Sequence, residues 1–198
     1  MNRTTPLALL FAATVAIPAV AQTTATEVQR NTNQQQRIEQ GLQSGALTTG
    51  EAGKLERQQT QIDRTEKNAL KDGSLSPAET ARIQSEQNKA SKTIAADKHN
   101  ARLGNPASKS SQRMQADVQR NVNQQARVEQ GVKSGQLSNK EVASLERGQA
   151  HVNRAEANAA ANGHVGAAEQ AKIQGKENAQ SARVYDKKHN VATSTTSN

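Results

Sequence analysis

Shifted by 90 residues, the chain matches itself without a gap, and that self-match limits its fold more than any other feature. Val28-Gln29-Arg30-Asn31 returns as Val118-Gln119-Arg120-Asn121, and Arg37-Ile38-Glu39-Gln40-Gly41 returns as Arg127-Val128-Glu129-Gln130-Gly131. Leu55-Glu56-Arg57 and Lys98-His99-Asn100 recur as Leu145-Glu146-Arg147 and Lys188-His189-Asn190. Whatever one copy folds into, the other must fold into as well. The expected organisation is a signal segment over 1–21, a first helical repeat over 22–100, a flexible Gly/Ser-containing linker over 101–117, a second repeat over 118–190 and a disordered tail over 191–198.

Within each copy a shorter echo marks the turns. Ser44-Gly45-Ala46-Leu47-Thr48 and Asp72-Gly73-Ser74-Leu75-Ser76 are followed three residues on by Glu51 and Glu79, and Ser134-Gly135-Gln136-Leu137-Ser138 leads likewise to Glu141. The fourth turn, Asn162-Gly163-His164-Val165, leads to Glu169 with Gly166 in place of the Ser or Thr. A glycine that ends one helix, then Ser or Thr with Glu three further on, is the pattern of a left-handed helix stop followed by a capping box. Pro77 falls at a first helical position, where its missing N–H costs nothing. The spacing predicts helices near 27–43, 49–71 and 77–100, and their counterparts 90 residues later.

The fold class expected is therefore all-α: a tandem duplication of a three-helix antiparallel unit with tight glycine and capping-box turns. Ala52, Leu55, Ile62 and Ala69 form one narrow apolar stripe on the middle helix, with Ile38 and Leu42 on the first helix and Ile83, Ala90 and Ile94 on the third. So thin a seam makes each unit marginal alone, and homo-oligomerisation or stacking of the units would help.

The turns also invite a calcium reading, because glycine and glutamate stand six apart, as in an EF-hand loop. The match is closest where Asn68, Asp72 and Glu79 fall on the first, fifth and last loop positions. Against it, the third position holds Leu42, Leu70, Val132 and Ala160, and the first holds Gln40, Asn68, Gln130 and Asn158, so two carboxylates are missing from every loop. A second metal candidate is the pair His99 and His189, near Asp97 and Asp186, suited to zinc, copper or nickel. In the last turn of a helix the same histidines also serve as C-terminal caps.

Composition enters at the ends and at the surface. Arg3 followed by a short apolar stretch over 7–20 that closes on Ala19 and Ala21 reads as a secretory signal cleaved before Gln22, which places the protein in the periplasm or outside the cell. The stretch is too short to span a bilayer. There is no cysteine, so no disulfide can brace a small exported fold. Loss of Arg3 leaves the formal charge of +8 at +7, which favours anionic surfaces, acidic polymers or an acidic protein client as partners. Arg30 with Arg37, and Arg120 with Arg127, lie seven residues apart on glutamine-rich helices and are the candidate anion-binding residues. Sequence-specific nucleic-acid binding is not expected, since one Phe, one Tyr and no Trp leave no stacking platform. No nucleophile with a base, phosphate loop or His-Glu-x-x-His pattern occurs, so neither an enzyme nor a resident cofactor is expected.

The run from 37 to 100, with its Ser-Gly-x-Leu-Thr-x-x-Glu and Asp-Gly-x-Leu-Ser-x-x-Glu turns, resembles a helical module that recurs in uncharacterised exported proteins of Gram-negative bacteria. The turns are also similar to degenerate EF-hand loops. What the resemblance implies is a secreted or periplasmic helical protein. It carries over no activity and no functional residue.

Overall fold

In the computed structural model, residues 19–190 are described, with side chains from residue 23. The chain is all-helical: α1 (Ala19–Ser44), α2 (Thr49–Ala69), α3 (Pro77–Lys98), α4 (Lys109–Lys133), α5 (Asn139–Ala159) and α6 (Ala167–His189). Short 3₁₀ turns, Leu70–Asp72 and Ala160–Asn162, extend α2 and α5. The expected signal segment lies outside the described residues except for its last three, which open α1, and the expected tail 191–198 lies outside them altogether.

The turns form as their chemistry dictates. Thr48 Oγ1 accepts from the Glu51 N–H at 3.2 Å while Glu51 Oε2 accepts from the Thr48 N–H at 3.0 Å, and Ser76/Glu79 and Ser138/Glu141 close the same reciprocal box. Such a cap is worth about 1 kcal/mol. Gly73 takes φ 97° to end the turn after α2, a conformation that side chains with a Cβ resist. Gly41 answers a different need: a Cβ there would lie 2.5 Å from Leu47, whose N–H bonds back to the Gly41 carbonyl at 2.9 Å, and Gly131 meets Leu137 in the same way.

Packing runs mainly between the two matched segments, the stacking that so thin a seam called for. The heaviest contacts join α2 to α5 and α1 to α4, across the two copies, while α1 and α2 touch little. Leu42 nears Gln115 at one end of the α1/α4 pair, and Val28 shares a cluster with Val128 and Val132 at the other, so the pair runs antiparallel. In the α2/α5 pair Gly53 faces Ala160 and Asp63 meets Asn153, again antiparallel. α3 leans on α1 and α2, and α6 on α4 and α5. Residues 90 apart make matching contacts, as where Arg30 and Arg120 each donate to an amide oxygen at 2.5 Å, Asn88 and Asn178 respectively.

The segment read as a linker is shorter than 101–117, because Ser108 caps α4 and residues 109–117 form its first turns. The stretch before it is pinned to the first turn. The Gly104 N–H donates to the Gly45 carbonyl at 2.8 Å, and Asn100 donates to Glu51 at 2.9 Å.

Two apolar clusters result, each drawn from both copies. One gathers Ile38, Leu42, Leu55, Met114, Val118 and Ile173, and the other Val28, Leu70, Val128, Val132, Leu145 and Val184. Each fully buried aliphatic side chain contributes about 1.5–3 kcal/mol. Along all four central helices the clusters are separated by buried polar residues. α1 carries Asn31, Gln34 and Gln35 between Val28 and Ile38, and α2 carries Glu56, Gln59, Asp63 and Glu66 between Leu55 and Leu70. The middle of the molecule is therefore polar, and its two ends are oily.

Candidate metal centre

The polar layer is built on α2 and α5. On a helix, positions seven and ten residues on share a face, so Glu56, Asp63 and Glu66 line up beside the apolar stripe of Leu55 and Ile62. Glu146, Asn153 and Glu156 repeat the line on α5. All six side chains are almost wholly buried, and no lysine or arginine is buried among the described residues. The facing helices supply amides instead. Asn31 donates to Glu66 at 2.7 Å and Gln35 to Glu56 at 2.9 Å, while Asn121 donates to both oxygens of Glu156 at 2.9 and 2.8 Å and Gln125 to Glu146 at 3.3 Å. α3 contributes Gln87, whose amide donates to Asn31 at 2.8 Å and to Glu66 at 3.3 Å.

Where the two lines meet, oxygens of Asp63, Glu66 and Glu146 all lie within 4.8 Å of one another. They are the one such group of three among the described residues. Two oxygens on opposite sides of a calcium ion, each at about 2.4 Å, stand about 4.8 Å apart. Asp63 also accepts from Asn153 at 2.9 Å, which ties the first line to the second near their midpoint.

The electrostatics are one-sided. Burial pushes the Glu56 and Glu146 carboxyls up to about 7. Burial again, then the charge of Glu146, raises Asp63 and Glu66 well above the usual carboxylate range, and burial with Glu56 does so for Glu156. Several acceptors in the layer have no donor: one oxygen each of Glu56, Asp63 and Glu146, and the amide carbonyls of Gln35 and Gln125. A buried acceptor without a donor costs about 1–3 kcal/mol. The carboxyls can meet that cost by taking protons, but an amide carbonyl must be given a donor or a cation. The donor set consists of oxygen alone, which suits hard cations rather than zinc or copper.

The residues singled out in the sequence sit elsewhere. Asp72 is exposed and accepts from the Ser74 N–H and hydroxyl at 2.9 and 3.2 Å; Glu79 is spent on the Ser76 cap, and Asn68 accepts from Lys67 at 3.2 Å. Hydrogen bonds to these turns hold the Asp72 and Glu79 carboxyls below their ordinary values. His99 caps the exposed end of α3, and His189 stacks on Tyr185 with its Nδ1 2.7 Å from the Tyr185 carbonyl. Arg30 and Arg37 brace α3 through Asn88 and the Ser91 carbonyl, and Arg120 and Arg127 brace α6 through Asn178, Glu177 and Ser181. None of these residues joins the carboxylate group. The acids that do were legible only as a spacing, Glu56 to Asp63 to Glu66 beside an apolar stripe, two of whose three members recur as acids 90 residues later.

Compared with known proteins, the chain matches no family model, no curated protein and no solved structure.

Proposed function

We propose that this protein is an exported, non-enzymatic binder of a hard divalent cation, calcium foremost, taken up in the buried layer by Asp63, Glu66 and Glu146. One observation carries the reading: three buried carboxylates converge within 4.8 Å, with no basic side chain buried to balance them. Calcium fits better than magnesium because magnesium retains several waters, and better than zinc because neither nitrogen nor sulfur is offered. The Gln125 carbonyl, buried and without a donor on a side chain that bonds Glu146, is a further oxygen ligand at hand. Export rests on the signal-like opening over 1–21.

We read the architecture as a tandem duplication of a three-helix unit folded as an intramolecular pair. The gapless self-match and the contacts repeated 90 residues apart support it.

The test is thermal unfolding of the protein in chelator, then with calcium, manganese, magnesium or zinc, alongside calorimetric titration. Binding to the folded state alone raises stability by about 4 kcal/mol at a ligand concentration a thousand times Kd. Calcium or manganese should raise the melting temperature at one equivalent, and Glu66→Gln with Glu146→Gln should abolish the rise while the protein stays helical. A melting temperature indifferent to every cation would make the layer a store of protons and overturn the reading.

A further inference from the structure

The outward side of the α2/α5 pair carries only basic and neutral residues, in contrast to the acids of its inner side. Every third or fourth residue of α2 from Lys54 to Asn68 is exposed, and the α5 positions 90 residues later are exposed in step. These two rows carry Arg57 and Arg64 on α2 and Arg147 and Arg154 on α5, with no acidic residue in either row. None of the four arginines makes a hydrogen bond or ion pair among the described residues. That sets them apart from Arg30, Arg37, Arg120 and Arg127, which brace α3 and α6. The ground between the rows is a low shelf where Thr60 and Ala157 form it, flanked by Arg57 and Arg64 on one side and Arg154 on the other, and Gly148 keeps the α6 side of the α5 row equally low beside Arg183. His151, in the α5 row, titrates below its ordinary value, first through partial burial and then through Arg147, Lys176, Arg183 and Arg64. Lys176 and Arg183 on α6 thus add their charge to that of the rows around His151.

We propose that this shelf docks the protein, side-on, to a phosphate-bearing anionic lipid surface. Guanidinium groups bind phosphate through paired N–H donors, and within each row the arginines are about 10 Å apart along the helix, given 1.5 Å per residue. Two parallel rows on a low face fit a plane of headgroups, whereas a single anionic strand would engage one row. No aromatic residue lies in either row to stack on bases or to enter the lipid interface, so attachment is electrostatic and reversible. The proposal is independent of the cation reading, since the shelf and the carboxylate layer lie on opposite sides of the same helices.

Co-sedimentation of the purified protein with vesicles of phosphatidylcholine, with and without one-third phosphatidylglycerol, tests it. Binding should require the anionic lipid and weaken steeply as salt rises. Replacing the four arginines together (Arg57→Gln, Arg64→Gln, Arg147→Gln, Arg154→Gln) should weaken binding by about 600-fold, at roughly fivefold for each basic residue near the surface. A control with the same loss of charge elsewhere (Lys71→Gln, Lys89→Gln, Lys92→Gln, Lys172→Gln) should stay within about threefold of the parent. If circular dichroism shows the fourfold arginine variant misfolded, the pair Arg57→Gln with Arg154→Gln should still weaken binding by about 25-fold. Equal losses in arginine and lysine variants would reduce the effect to net charge and overturn the proposal. So would absence of binding to the anionic vesicles, or tighter binding to duplex DNA at the same salt, which would make nucleic acid the occupant.

Discussion

The two copies share a scaffold but not a charge distribution. Asp63 on α2 corresponds to Asn153 on α5, and Gln87 on α3 corresponds to Glu177 on α6. Counted with Glu56 and Glu66 and their counterparts Glu146 and Glu156, each copy keeps three acids among four buried places, but the first copy sets all three on α2, and the second moves one out to α6. There Arg120 lies 3.1 Å from Glu177, while its counterpart Arg30 reaches only the neutral Asn88. One half thus completes a three-carboxylate group with help from Glu146, and the other half, with Asn153 between Glu56 and Glu156, falls one acid short. On the proposed cation reading, that difference predicts one bound cation and not two.

Making the halves alike is the sharpest way to break that contrast. Asn153→Asp should give the second half its missing acid; in chelator this costs about 3 kcal/mol of stability by urea unfolding, because one more buried carboxyl lacks a partner. With calcium, a second equivalent should appear in calorimetric titration. The opposite change, Asp63→Asn, should weaken binding by about 100-fold, or about 2.7 kcal/mol, by removing one of three charged ligands. Next in size is the pH response of the displaced acid. Burial, then the Asp117 charge, pushes Glu177 up to about 8 against the pull of Arg120, and burial pushes Asp117 up to about 6. Both acids hold protons more tightly folded than unfolded, so their contribution is whole only below the ordinary carboxylate range, about pH 4, and is lost as pH rises from there, completely by about 6 for Asp117 and about 8 for Glu177. Glu177→Gln, which copies Gln87, should flatten that slope in melts taken in chelator, by about 2 kcal/mol across the range. The smallest effect is the difference between two braces. Arg120→Ala should cost about 1 kcal/mol more than Arg30→Ala, because it strands the buried Glu177 while the latter leaves only an amide unpaired.

Much of the local structure was legible. Ala52, Leu55, Ile62, Ala69, Ile38, Leu42, Ile83, Ala90 and Ile94, the stripe read from spacing, are all buried, and the glycine and capping-box turns stand where the residues put them. What the residues could not convey is which helix packs on which. A self-match says that two segments adopt one conformation, but it is silent on whether each closes on itself or on the other. The site went unread for the same reason. Glu56 and Arg57 are neighbours in a polar sequence, and only the position of α5 makes one of them core and the other surface. Glutamines at 34, 35, 124 and 125 look like a solvated face until α3 and α6 close over them; Gln34 and Gln124 then donate to the Gln87 and Glu177 carbonyls at 2.7 and 2.9 Å.

The interleaved apolar clusters set a timetable for the chain as it is made. Ile38, Leu42 and Leu55 emerge early, but Met114, Val118 and Ile173, which complete their cluster, come from the second copy, and the other cluster waits on Val128, Leu145 and Val184. Half a molecule therefore has no finished core on which to settle, and folding is deferred until nearly all of the sequence has been synthesised. The same interleaving means that a single copy, offered a second molecule of itself, has most but not all of the contacts needed to form a symmetric dimer: Gly53 would meet Leu70 in place of Ala160, and Asp63 would meet a second Asp63 in place of Asn153.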